Sequence, residues 1–346
     1  MCFFGAKTVV SLGVIAFTLL HGSGQPLPME QLHLHGVETF VNWPKEERHI
    51  MVLFHGCNNQ GSSWFQKPEE IIFLRQALSY KMALVAFTTP RHPGNFCWPS
   101  PDGSTEFADA SALIRRAMME VIHLKGTNSA ISARSLILVG ASSGGNFASR
   151  LPALWSDGLE NMAKVAGFLS VISPTSFVRN AELVEEPGPD FPPSALIYMP
   201  KDKTFASEDA IATLLKSLHG AGVAAKAWPL APQQLTAHDL STRLEVAGIF
   251  VEDESAKEFL EALADMELVA EGKVLENPRR VPWRRAAGLL DKDAPLKGER
   301  RQHRLQSVEE ILNRAWAQHE FGMDSEVLQW LLSQVPGQAT GPHSDL

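Results

Sequence analysis

The sequence predicts a doubly wound, mostly parallel α/β sheet, and two observations carry the prediction. Continuous apolar runs of strand length alternate with segments of helical spacing over most of the chain. That is the pattern of strands buried on both faces by the helices between them. One such run, Ser135 to Val139, passes directly into Gly140-Ala141-Ser142-Ser143-Gly144 and then into a helix-compatible stretch, Asn146 to Leu154.

The elements follow in order. Val37 to Val41 is a possible first strand. His49 to Phe54 is a continuous apolar run, with charges before it and His55-Gly56 after it. Pro68 to Lys81 sets Ile71, Ile72, Leu74 and Leu78 at helical spacing, and Met82 to Phe87 is the next strand. Pro90 to Pro101, rich in Pro and Gly, reads as a loop that carries Cys97 and Trp98. Glu106 to Leu124 is a long amphipathic helix. After the Ser142 segment come strands at Val165 to Ile172 and Ser194 to Met199, the second ending in Pro200-Lys201-Asp202. Ser207 to Leu218 is a helix closed by Gly220, and Val223 to Leu230 is a further strand.

From about Ala237 to Gln306 the character changes. Charged helical pieces, Glu252 to Glu267 among them, lead into the basic stretch Pro278 to Arg285. The segment reads as a helical insertion, and its basic stretch fits a solvated face better than a partner surface. Helices at Ser307 to Gln318 and Ser325 to Leu332 close the chain, with His319-Glu320-Phe321-Gly322 between them.

At 346 residues the chain is long enough to bury a full core. The expectation is one domain over 25–346 with the insertion at 237–306. A net charge of -8 gives no reason to expect nucleic acid as a partner. Residues 1–24 resemble a secretory signal peptide: a short leader with Lys7, an apolar run from Thr8 to Leu20, then the small residues after His21. With that leader removed, no remaining run is long enough to span a bilayer. His343-Ser344-Asp345-Leu346 loosely resembles an endoplasmic-reticulum retention signal. Together these suggest the secretory pathway, either the reticulum lumen or secretion.

Cys57 and Cys97 remain as an even pair once Cys2 leaves with the signal. Each follows a buried strand, and in a parallel sheet the two strand ends are candidates for close neighbours. A bridge between them would stabilise the fold by about 4 kcal/mol on the chain-entropy estimate. Two buried free thiols are the plainer alternative.

Ser142 occupies the centre of a G-x-S-x-G pattern, and the pattern has a physical basis. A serine becomes a useful nucleophile where a sharp strand-to-helix turn lifts its hydroxyl above the sheet edge. Small residues two before and two after permit that turn, and the new helix aims its N-terminus at the oxyanion. The strand, turn and helix together resemble the α/β-hydrolase fold, which implies the chain order nucleophile, acid, histidine.

Asp202 fits the acid, since it follows the second strand after Ser142; the competing reading is a loop residue capping the helix near Ser207. Asp190 precedes that strand, at the wrong end. The base is either His319 or His238. His238 comes soon after the strand ending at Leu230, and His319 precedes the last helix; spacing alone does not choose. The oxyanion donors are expected to be the backbone N–H groups of Ser143 and Cys57, with Asn58 and Asn59 as possible helpers. Losing one such donor raises the barrier by about 3 kcal/mol. No metal constellation is visible, His33 and His35 being a weak pair. No Lys-Ser/Thr pair follows Gly140 to Gly145, which is therefore no phosphate loop. No cofactor is expected.

Phe54-His55-Gly56-Cys57 with Trp64, Cys97-Trp98, Gly140 to Gly145, and Tyr198 to Asp202 together resemble a little-characterised plant and algal group of α/β-hydrolase-like proteins. Pro278-Arg279-Arg280 with Trp283-Arg284, and Ala315 to Glu320, fit the same group. The resemblance covers about residues 50 to 333. It implies His319 as the base, because the His-Glu pair belongs to the group's pattern. The leading expectation is ester or related acyl hydrolysis through an acyl-enzyme at Ser142, on a small-molecule substrate that is uncharged or cationic. The rival is a catalytically inactive protein of the same fold that binds a ligand or partner through the insertion and the Trp64/Trp98 cleft.

Overall fold

The computed structural model describes residues 27–45, 47–90, 96–101, 104–125, 134–155, 159, 163–173, 190–203, 205–291, 297–317, 321–322 and 325–335. The expected leader, the C-terminal His343 to Leu346 and His319 lie outside the described residues. Among those described, eight strands form one sheet: β1 (Glu30–Leu34), β2 (Val37–Asn42), β3 (His49–Phe54), β4 (Met82–Phe87), β5 (Arg134–Ala141), β6 (Ala163–Val171), β7 (Ser194–Tyr198) and β8 (Ala225–Pro229). Their spatial order is β1-β2-β4-β3-β5-β6-β7-β8. The pairs β1–β2 and β2–β4 are antiparallel, and every pair from β4 to β8 is parallel.

The doubly wound reading therefore holds. Along β3 the side chains alternate between the two faces, as a strand's period of two requires. Ile50, Val52 and Phe54 join the core packed with α2 (Thr105–Lys125), whereas Met51 and Leu53 join that packed with α1 (Pro68–Ser79). Both faces are apolar, so the sequence shows an unbroken run. Strand β1 has the opposite signature. Only Leu32 and Leu34 are buried, alternating with the exposed Gln31 and His33, so no apolar run announces it. Its turn to β2 uses His35 (φ 52°) and Gly36 (φ 80°), a two-residue loop with both φ positive.

The helix expected over Asn146 to Leu154 is two short helices, α3 (Ser143–Ala148) and α4 (Leu151–Leu154). Pro152 is the cause: it lacks the N–H that a continuous helix would bond to the carbonyl four residues back. Next, α5 (Glu208–Gly220) is capped by Ser207, whose Oγ accepts from the Ala210 N–H. Its Leu214 and Leu218 pack with Leu196 and Tyr198 of β7.

The expected helical insertion holds less helix than its composition suggested. It contains α6 (Ala237–Val246), α7 (Asp253–Asp265), a hairpin of β9 (Val269–Ala270) with β10 (Lys273–Val274), and three short 3-10 turns between 278 and 291. Helix α8 (Gly298–Trp316) runs straight through the expected boundary at 306. Leu240, Leu244, Phe259, Trp283 and Ile311 form a core of their own within this segment. Arg243 of α6 pairs with the buried Glu69 of α1, tying the segment to the sheet's helices. Helix α9 (Ser325–Ser333) returns to the face covered by α1. No helix among the described residues is long and apolar enough to cross a membrane.

Candidate active site

The chain leaves β3 for β4 on one side and returns to β5 on the other, so the loops after β3 and β5 diverge. A crevice at the carboxyl edge of the sheet is the expected result of such a switch point. Ser142 stands there, one residue past β5, with φ 50° and ψ -117°. That backbone conformation is costly for a residue with a Cβ, about 1–3 kcal/mol, and its surroundings enforce it. The Ser142 N–H donates to the Val171 carbonyl at 2.9 Å, and the Ser142 carbonyl accepts from the Asn146 N–H at 3.1 Å. Phe147, one turn along α3, stacks on Trp98 with ring centroids 4.7 Å apart.

The flanking glycines have definite reasons. A Cβ on Gly140 would lie 2.4 Å from the Gly144 carbonyl oxygen, and one on Gly144 would lie 2.3 Å from the Phe54 oxygen. Across the turn, a Cβ on Gly56 would sit 3.5 Å from the Ser142 Cβ. The loop after β3 thus passes directly over the serine.

Asp202 is 2% exposed and lines the same cavity as Ser142. Its carboxylate accepts backbone N–H bonds from Phe205 at 3.0 Å and Ala206 at 3.3 Å. Ser207, not Asp202, caps α5. The Asp202 carboxylate is therefore held by bonds from its own loop.

Cys57 and Cys97 are joined by a disulfide. The next residue, Trp98, donates its backbone N–H to Ser143 Oγ at 3.4 Å. One dipeptide, Cys97-Trp98, consequently ties down both residues expected to supply oxyanion donors. Nothing in the sequence announces the Trp98–Ser143 link. Ser143 is the first residue of α3, where a backbone N–H has no intrahelical acceptor. Cys57 lines the cavity. The Asn59 side-chain amide, one of the expected helpers, donates to the Cys57 carbonyl at 3.2 Å and so braces this loop.

His55 is buried beneath the loop, and both ring nitrogens are in use. The Thr89 N–H donates to Nε2 at 3.2 Å, so Nε2 carries no proton. Nδ1 then holds the proton and donates it to the Gly56 carbonyl at 2.8 Å. Burial pushes the imidazole down to about 4; the bond to Gly56 opposes this and the charge of Lys67 adds to it. His55 is a neutral brace.

The cavity has a volume of about 790 Å³. Around Ser142 and Asp202 it is lined by Trp64, Ile172, Phe205 and Phe321, and on the α8 side by Gln306, Ser307, Glu310 and Asn313. The two candidate histidines differ sharply. His238 lies on α6 with its side chain 78% exposed, and its Nδ1 is 3.3 Å from Asp253 Oδ2. It is not among the described residues that line the cavity, so the structure does not bring this alternative base to Ser142. His319 lies outside the described residues with Gln318 and Glu320, and the nearest described residues on either side are Ala317 and Phe321. Phe321 lines the cavity and meets Trp64 edge to face at 5.1 Å. Lys201, beside Asp202, places Nζ 3.1 Å from the ring centroid of Trp316. This contact had no signal in the sequence.

The model of the alpha/beta hydrolase family matches residues 51–317. No curated protein sequence matches the chain. Among solved structures, a carboxylesterase from Lactobacillus plantarum is 15% identical, with 70% of this chain and 99% of that one covered at a TM-score of 0.42. A predicted CIB-like hydrolase from Thermoplasma acidophilum is 14% identical, with 69% and 97% covered at 0.39. An esterase from Pyrococcus furiosus is 12% identical, with 58% and 84% covered at 0.39.

Proposed function

Because the chain belongs to the alpha/beta hydrolase family, we propose that it hydrolyses an ester or related acyl bond through an acyl-enzyme at Ser142. The observation that carries the proposal is the enforced backbone of Ser142, φ 50° at the carboxyl edge of the sheet, in one cavity with the buried Asp202. Strain of that kind is maintained where it serves chemistry, which favours an active enzyme over an inert binding protein of the same fold.

In this reading Ser142 Oγ attacks the acyl carbon, and His319 takes the proton and later returns it to the leaving group. Asp202 orients the histidine, and the N–H groups of Cys57 and Ser143 receive the developing oxyanion. Three features support His319. Trp316 packs on Lys201 next to the acid, Phe321 lines the cavity, and the segment Ala315 to Glu320 belongs to the resemblance to the plant and algal group. His238, exposed and paired with Asp253, has no comparable support. The substrate is a small molecule bearing an acyl group. The leader at 1–24 and the Cys57–Cys97 bridge support a place in the secretory pathway.

A fluorophosphonate probe tests the proposal. Wild type becomes labelled at Ser142 and Ser142→Ala does not; an unlabelled wild type, or equal labelling of both, removes the enzyme reading.

A further inference from the structure

The wall of the cavity formed by α1, the loop after β3 and α8 differs from a lipid-binding surface. Three buried polar atoms on it have no hydrogen-bond partner: Trp64 Nε1, Glu70 Oε2 and Ser307 Oγ. One is a donor, one an acceptor, and the hydroxyl serves as either. Buried polar groups are almost always satisfied, so a group with donors and acceptors of its own is the natural complement here. Around them the cavity is edged by uncharged amides, Asn58, Gln60, Gln66 and Gln306. An amide presents two donors and an acceptor, which matches the dual character of an alcohol hydroxyl.

Charge narrows the choice. Lys67, Arg279 and Arg280 line the cavity, and so do Glu70, Asp202, Glu309 and Glu310. An anionic ligand would meet the carboxylates, and a cationic one the ammonium and guanidinium groups. A neutral hydroxylated ligand can bond to groups of either sign. An alkyl chain would cover the lining amides without offering them a partner, which costs affinity. The volume of about 790 Å³ lies within the ordinary range for ligand clefts, about 300–1,000 Å³.

We propose that this wall is a subsite for a neutral polyhydroxylated group, so that the substrates are acyl esters of sugars or sugar-like polyols. The proposal rests on the acyl-hydrolase reading above and names its substrate class. Ser142 Oγ bonds to the ester carbonyl carbon, the bond from that carbon to the sugar oxygen breaks, and the sugar departs with the proton lost by Ser142. Water then releases the carboxylic acid and restores the serine hydroxyl.

The test has two arms, both on the full chain. Saturation-transfer NMR on wild type and Ser142→Ala reads binding of glucose and xylobiose against hexanol; transfer to the sugars is expected, and none to either sugar overturns the subsite. Hydrolysis of 6-O-acetylglucose is compared with hexyl acetate, and kcat/KM favours the sugar ester by about tenfold or more. Ser307→Val and Gln306→Leu each shrink that ratio several-fold. A ratio at or below one, or variants that lower both substrates equally, overturns the proposal. Sugar binding without fluorophosphonate labelling would remove the hydrolase reading and leave the subsite standing. Labelling without sugar binding would do the reverse.

Discussion

Acidification is the perturbation that isolates His55. In the folded chain its imidazole is held to about 4 by burial, against 6.5 for an unhindered histidine. A folded-state value below the unfolded one means the unfolded chain binds the extra proton first. The stability contributed by neutral His55 is then fully present above pH 6.5 and is lost as pH falls toward 4. At about 1.4 kcal/mol per pH unit, the loss over that window is about 3 kcal/mol. Protonation would also turn Nε2 into a donor facing the Thr89 N–H. Glutamine offers the same pair of functions, an oxygen to accept from Thr89 and an N–H to give to Gly56, without titrating. Urea midpoints for wild type and His55→Gln, taken from pH 7.5 to 4, supply the assay. The wild type should lose about 3 kcal/mol more than His55→Gln between pH 6.5 and 4. His49, whose imidazole is likewise lowered to about 4 by burial and by the charge of Arg48, contributes equally to both proteins and cancels. Identical pH slopes would refute the reasoning.

Other outcomes follow from single contacts. Gly144→Ala puts a Cβ 2.3 Å from the Phe54 carbonyl oxygen and 2.5 Å from that of His55; both partners are backbone, so the variant loses about 3 kcal/mol in urea melts and most fluorophosphonate reactivity. Cys57→Ser combined with Cys97→Ser opens a loop spanning a sequence separation of 40 and costs about 4 kcal/mol; calorimetry of wild type with and without reductant should reproduce the difference. Separate substitutions of the histidines divide cleanly in steady-state kinetics. His319→Ala lowers kcat by several orders of magnitude, whereas His238→Ala, removing an exposed side chain paired with Asp253, stays within about twofold of wild type.

Much of this was legible from residue order because the central strands are covered on both faces. His49 to Phe54 and Met82 to Phe87 are strands to the residue, since an unbroken apolar run marks both their ends. Strand β1, half exposed, carries only an alternation of two leucines and gave no such signal. The elbow was legible for another reason. Its glycines are required by contacts a few residues away, 140 against 144, so the constraint stays within a short motif. Contacts that join distant loops leave no local trace. Trp98 to Ser143 and Lys201 to Trp316 each connect segments whose proximity depends on the sheet order. The insertion misled by composition: its charged, helix-favouring residues hide a hairpin and three 3-10 turns.

The separate core of the α6–α8 segment has a consequence for how such a molecule can be altered. Phe259, Trp283 and Ile311 hold that segment together among themselves, while Gln306 and Ser307 look onto the cavity from the same helix. Substitutions on the cavity side of α8 need not disturb the sheet that carries Ser142. One half of the pocket is thereby an exchangeable facing on a fixed frame. A library confined to it can redirect selectivity while the elbow, its glycines and the bridged loop remain as they are.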